Sequence, residues 1–264
     1  MSAQGYYLPR EHGGWALLAA PPLTGIAAAG GGGSTELWLF WAALLGAFLL
    51  RTPLEAFIRR PSDRRALFFL LAYGAAGGGA ALLLITRYGR WGLALLAIPG
   101  VAAMLLHIRL SIRRRAQSSR QEILAVAVLC LGAPAALYVK TGHFGAQAGW
   151  LWLLNTLYFI GPLFHVKMAI AQYALIVNRN AERRFRDLRR SAWTYHAAAT
   201  AAAGALVFAS VVPPLAGAPF LLAAGKTVYR GLSVPVSDIR LIGWQEVGYT
   251  LLFVCLVAAG YLAG

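Results

Sequence analysis

The sequence predicts an all-α fold: a polytopic transmembrane helical bundle of about nine helices in one domain, 1–264, with its N-terminus inside and its C-terminus outside. Three observations predict it. The chain is 59% hydrophobic and 12% charged, with a mean hydropathy of +0.62, and a soluble domain carries about twice that charge. Apolar runs recur along its whole length, most of them about 20 residues, enough to cross ~30 Å of hydrocarbon at ~1.5 Å per residue. The basic residues are sorted by side: of 24 Lys and Arg, all but Arg87, Arg90 and Lys140 fall on one face of the predicted topology. Cytoplasmic loops are enriched in this way, so the expected location is the bacterial inner membrane. Losing one segment would reverse every later loop and destroy the asymmetry.

The nine segments lie near 13–32, 37–56, 66–86, 91–109, 121–139, 146–170, 191–212, 214–227 and 242–263. The first opens in "LPREHGGWALL", Leu8 to Leu18. Pro9 prevents the helix from extending backwards, and Glu11 stands where a helix N-terminus favours an anion. Gly13 and Gly14 permit close approach of a neighbour, and Trp15 suits the interfacial belt. His12 has no structural duty, which suggests an acid/base group facing a cavity. The stretch lacks the small-residue cleavage site of a signal peptide. The second segment ends "RTPLEAFIRRPSDRR", with Arg51 and Glu55 four apart on one helical face. The first and third carry the glycine runs "AAAGGGGST" and "GAAGGGAALLL", read as helix ends or close helix packing; no strand precedes them to make a phosphate loop.

The fourth segment ends at His107 and Arg109, and the fifth begins at Glu122. The sixth is long enough to project from the bilayer and carries His165 and Lys167. The seventh carries His196 one turn in. The eighth, "PLAGAPFLLAAGKTV", is short, and spans with a tilt or as a re-entrant piece. Asp238 and Glu246 flank the start of the ninth. Cys130 and Cys255 fall within apolar runs and read as buried small hydrophobes, not as a disulfide or a metal site.

Basic loops follow from topology alone, so acids and histidines carry more information. All but Glu36 and His143 gather toward the cytoplasmic side. Ionisable groups within spanning segments face cavities and pair with one another; the plainer reading is a polar cluster stapling helix ends. No HExxH pair or G-x-S-x-G elbow occurs, so zinc and serine chemistry lack support, while a histidine-plus-carboxylate site for iron or manganese stays open. Arginine forks and helix N-termini both bind phosphate, and the apolar helices would take a tail. The expected partners are therefore a membrane lipid or isoprenoid substrate and anionic lipid head groups. Nucleic acid is not expected despite a net charge of +15. No cofactor and no protein partner is specified.

"LPREHGGWALLAAPPLTG" resembles the opening of the YwiC-like family of bacterial membrane proteins, close to P-x-E/Q-H-G-A-W, with Gly14 in place of the usual Ala. "LFHVKMAIAQ", "NRN…FR" and "SAWTYH" resemble that family's later motifs, with Gln172 where an acidic residue is usual. The helix number, and polar residues gathered at cytoplasmic helix ends, are similar to the UbiA superfamily of intramembrane prenyltransferases. In that superfamily, Asp-rich motifs after the second and sixth helices hold Mg²⁺ and a polyprenyl diphosphate. Here those stretches read "RTPLEAFIRRPSDRR" and "NRNAERRFRDLRR", without N-D-x-x-D or D-x-x-D. Either the activity has changed, or arginine takes the place of Mg²⁺, or only the fold is alike.

The resulting expectation is a lipid- or isoprenoid-binding protein, or a UbiA-like transferase, with a cavity on the cytoplasmic side. Its expected catalytic residues are Glu11, His12, Glu55, His165 and His196. Its expected substrate-binding residues are Arg10, Arg51, Lys167, Gln172 and Glu246, with no metal ligand assigned. The rival expectation is a non-enzymatic membrane protein, a transporter or a respiratory-complex assembly factor. An outer half nearly free of ionisable groups counts against ion-coupled transport.

Overall fold

The helix ends are set by short polar residues between apolar runs. The computed structural model describes residues 7–8, 12–112, 118–177, 182–233 and 239–263, and among them every regular element is helical. In order these are α1 (His12–Ala28), α2 (Thr35–Arg59), α3 (Arg64–Thr86), α4 (Gly92–Ile112), α5 (Ser119–Leu129), α6 (Gly132–Thr141), α7 (Ala146–Val177), α8 (Glu182–Phe208), a 3-10 turn (Pro214–Gly217), α9 (Ala218–Leu232) and α10 (Ile239–Ala263). The Ser34 hydroxyl caps α2 at the Leu37 N–H, and Asp63 caps α3 by accepting from the N–H groups of Arg65 and Ala66. Ser118 and Gln121 form a reciprocal capping box for α5. The glycine run after α1 is a helix end: Gly30, Gly31 and Gly32 all take positive φ, where a side chain would be strained.

The fifth predicted segment is split into α5 and α6. Pro134 has no N–H to give Cys130, and its ring crowds the carbonyl four residues back. The chain answers with tighter bonds, Leu131 N–H to Val128 O and Ala133 N–H to Cys130 O.

Six helical stretches among the described residues are long and apolar enough to cross a membrane: Thr35–Arg59, Arg64–Thr86, Gly92–Ile112, Ser119–Thr141, Ala146–Ile176 and Arg240–Ala263. The chain is a multi-pass membrane protein. The three remaining predicted segments form α1, of 17 residues, α8, which opens with charged turns, and α9, of 15 residues. They are helical where expected, and each is either shorter or more polar than a free-standing span.

Two close approaches assemble the bundle. A Cβ on Gly46 would lie 2.5 Å from the Gly77 Cα, so α2 and α3 cross backbone to backbone. A Cβ on Gly25 would lie 2.1 Å from the Ala133 carbonyl oxygen, and one on Gly132 would meet the Pro22 ring, which seats α1 against α6. Small residues at crossings serve membrane bundles, where apolar surface gains little by leaving lipid. Asn155 on α7 donates to Thr24 on α1 at 3.0 Å, both fully buried. Tyr158 on α7 stacks on Phe253 of α10 at 3.9 Å between centroids and meets Phe220 of α9 edge-on. Large apolar side chains such as Trp38, Phe68, Leu71, Leu95, Ile98 and Leu105 are exposed on α2, α3 and α4. In water that surface would be a liability; facing lipid it is ordinary. Of the two cysteines expected to be buried, Cys130 is, but Cys255 is exposed on a face of α10.

Candidate functional site

Four helices bring one buried polar row together. On α7, Gly161 and His165 stand four residues apart and share a face. Gly161 makes room for a ring: a Cβ there would lie 2.8 Å from Cε1 of His196, which enters from α8. His165 is fully buried. Its Nδ1 lies 3.1 Å from the Thr227 hydroxyl on α9. Its Nε2 lies 3.5 Å from Glu246 Oε1 on α10 and makes no hydrogen bond. The same Glu246 oxygen accepts from Lys226 Nζ of α9 at 2.5 Å. Both side chains of that pair are largely buried, at 9% and 14% exposed. Lys226 Nζ also stands 4.3 Å from the centre of the Tyr249 ring, a cation–π distance. The row therefore reads Lys226, Glu246, His165, Thr227, with His196 beside it on the Gly161 face of α7.

The row has an open side. Lys226 forms part of the wall of a cleft of about 370 Å³ between α9 and α10, shared with Gly225, Tyr229, Arg230, Gln245 and Tyr249. Arg230 lies one turn beyond Lys226, so two cations line the cleft. Around it Leu222, Tyr229, Leu232, Leu241 and Trp244 are exposed, giving an apolar rim to a cationic interior.

The wall is held from behind. The last carbonyls of a helix have no partner within it. Gln172 on α7, 3% exposed, donates its amide to the carbonyls of Arg230 at 3.1 Å and Ser233 at 2.6 Å. Arg189 on α8 donates to the Gly231 carbonyl at 3.3 Å, and its guanidinium lies over the rings of Phe185 and Trp193. These contacts call for an amide here, since an ionised carboxylate has no donor to offer two carbonyls.

Of the predicted site residues, His165 and Glu246 meet in this row, His196 packs beside it against Gly161, and Gln172 supports its α9 wall. Lys167 follows His165 by two residues and so faces another way; it pairs with Glu122 and bonds the Ser119 hydroxyl on α5. Glu55 accepts from Arg59 on its own helix and from the Ser111 hydroxyl, which ties the ends of α2 and α4. Arg51 is half-buried on α2. Arg10 and Glu11, and the His12 side chain, lie outside the described residues. Lys226, Thr227, Arg230, Gln245 and Tyr249 were not among the predicted site residues. The signal for Lys226 and Arg230 was present in "GKTVYRG": two cations four apart in a short apolar segment. Among the described residues no three His, Cys, Asp or Glu side chains are grouped to hold a metal ion.

Residues 8–137 match the family model described as YwiC-like protein. Over that span, a little under half of its length, the chain is similar to the YwiC-like family. The matched part runs from the residues before α1 into α6, and the buried row on α7 to α10 follows it in sequence. No curated protein and no solved structure matches the chain.

Proposed function

We propose that this multi-pass membrane protein binds the anionic head of an isoprenoid or other lipid in the cleft between α9 and α10, on the cytoplasmic side of the bacterial inner membrane. The observation that carries the reading is Lys226, a largely buried cation forming part of the wall of an open cleft of about 370 Å³ beside Arg230. A cation kept at such depth is costly without an anionic partner. Glu246 supplies one such partner, and the cleft leaves room for a second. Lys226 is a point charge for a phosphate oxygen and Arg230 a planar fork for two. The apolar rim on α9 and α10 suits a tail lying alongside, in lipid. The row of Glu246, His165 and Thr227 behind the cation adds groups able to give and take a proton. That row supports a UbiA-like transferase as the enzymatic form of the same reading.

The test is binding of a polyprenyl phosphate to the purified full chain in nanodiscs of neutral lipid. Lys226→Met should weaken binding at least about tenfold, the loss of one partly buried charge-assisted contact. The double change Lys226→Met with Glu246→Gln removes the opposing charge as well, and should bind as poorly without leaving a lone buried carboxylate. Arg230→Gln should weaken binding several-fold, and EDTA should not. Native affinity in the double variant would overturn the reading. If Arg51→Lys alone abolished binding, the head would sit at α2 instead.

A further inference from the structure

We infer that occupying the α9–α10 cleft with an anion is coupled to uptake of one proton by His165. This rests on the anion-binding reading above and concerns what becomes of Glu246. A single oxygen, Glu246 Oε1, faces both Lys226 Nζ at 2.5 Å and His165 Nε2 at 3.5 Å. The ammonium holds the near position. Nε2 makes no hydrogen bond although its ring is fully buried. The opposite nitrogen, Nδ1, rests against the Thr227 hydroxyl. A hydroxyl both accepts and donates, so Thr227 suits the ring in either protonation state.

An anion between Lys226 and Arg230 draws the ammonium toward the cleft, where the Tyr249 ring already lies 4.3 Å from Nζ. Glu246 then loses its cation in a site with little water, which is costly. His165 is placed to replace it. Closing the 3.5 Å gap to a charge-assisted distance of about 2.8 Å takes a small movement of either side chain. One proton passes from solution to Nε2 and no covalent bond between heavy atoms is made or broken. One proton on His165 balances one unit of the negative charge that enters, and Arg230 faces the rest.

Among the described residues, the ionisable groups that act on His165 are Lys226 and Arg230 from α9, Glu246 from α10 and His196 from α8, with Tyr158 of α7 and Tyr249 of α10 beside Glu246 and Lys226. Glu122 of α5 is held by Lys167. Between Gly13 and Ala28, α1 has no ionisable side chain. Lys140 and Tyr138 of α6 belong to its last turns, by the loop that leads into the start of α7.

The test is calorimetry of the full chain in neutral-lipid nanodiscs, in two buffers of different ionisation heat, with a polyprenyl phosphate in one arm and inorganic phosphate in the other. The native protein should take up about one more proton per bound ligand than His165→Gln or Glu246→Gln; the phosphate's own proton cancels in that difference. As pH falls, native affinity should strengthen relative to His165→Gln by up to about tenfold per pH unit, since one proton is linked to one ligand. His143→Gln, exposed at the other end of the bundle, should match the native count. Uptake in either arm upholds the coupling, and the arm that binds identifies a lipid head or a free anion. Glu246→Gln keeps the test informative if His165→Gln does not fold. Ligand binding with equal proton counts in the native protein and both variants would overturn the inference and leave the anion reading standing. No binding by the native protein in either arm would overturn both.

Discussion

Replacing Gly161 with Ala should unseat His196, and the cost can be worked from the contacts. The added Cβ would stand 2.8 Å from Cε1, 3.4 Å from Nε2 and 3.6 Å from Nδ1 of the His196 ring. Carbon atoms rest at about 3.5–4.0 Å, so the ring must retreat by nearly 1 Å. It has little room to do so. His196 is 5% exposed, and its neighbour Tyr195 is fixed by a 2.7 Å bond from its hydroxyl to the Leu157 carbonyl. Overpacking of this kind costs about 1–3 kcal/mol, against about 1 kcal/mol returned by alanine's better helix propensity. The net change is a destabilisation of about 0–2 kcal/mol. Gly204→Ala on α8 separates the two effects, because a Cβ there meets nothing within 4 Å. It should gain the propensity alone. The two variants should therefore differ by about 1–3 kcal/mol, whatever the propensity is worth in a micelle. Equilibrium unfolding in mixed SDS and dodecyl maltoside micelles, followed by tryptophan fluorescence, reads that difference. Equal midpoints for the two variants would refute the packing of His196 against α7.

Four further outcomes follow from other contacts. Gln172→Glu replaces a double donor with an acceptor facing two carbonyls, and should cost about 1–3 kcal/mol in the same assay; a stability gain would contradict the support assigned to α9. Asn155→Leu removes the buried bond to Thr24 and should cost about 0.6–2 kcal/mol, with no loss if α1 and α7 are held by packing alone. At Asp63, the hydrogen bond from the Tyr7 hydroxyl and those from the Ala66 and Arg65 N–H groups hold the carboxyl below its usual range. Because the folded value is depressed, its contribution is present above the unfolded value of about 4 and lost as pH falls through the folded one. Hydrogen exchange at the Arg65 and Ala66 amides should therefore quicken below about pH 4 and be indifferent to pH in Asp63→Asn once intrinsic rates are divided out. Reporter fusions within 57–64, 110–120 and 178–190 should face the cytoplasm and those within 87–90, 140–146 and at the C-terminus the opposite side; agreement between the 178–190 and C-terminal reporters would break the nine-crossing order.

Apolar run length is a local property, and it determined the all-helical class, the membrane character and the approximate helix ends without any knowledge of packing. Helix caps at Ser34, Asp63 and Ser118 and the glycine end of α1 belong to the same kind, since each acts within a few residues. The break between α5 and α6 was open to the same reading, because Pro134 acts only four residues back, yet the continuous apolar run hid it. Site membership was different. His165 and Lys167 are two residues apart and looked equivalent in sequence; a turn of about 200° sends one to the α9–α10 row and the other to Glu122 on α5. Glu55 looked like a catalytic acid until the ends of α2 and α4 met and Arg59 and Ser111 took it. Lys226 looked like one more cytoplasmic charge until α9 packed against α10 and placed it on Glu246. Periodicity reports which residues share a face of one helix. Which faces meet depends on the crossings, here set by Gly46 with Gly77, Gly25 with Ala133 and Gly161 with His196. Those pairs join positions far apart in the chain, so only the tertiary structure decided which polar groups became a site.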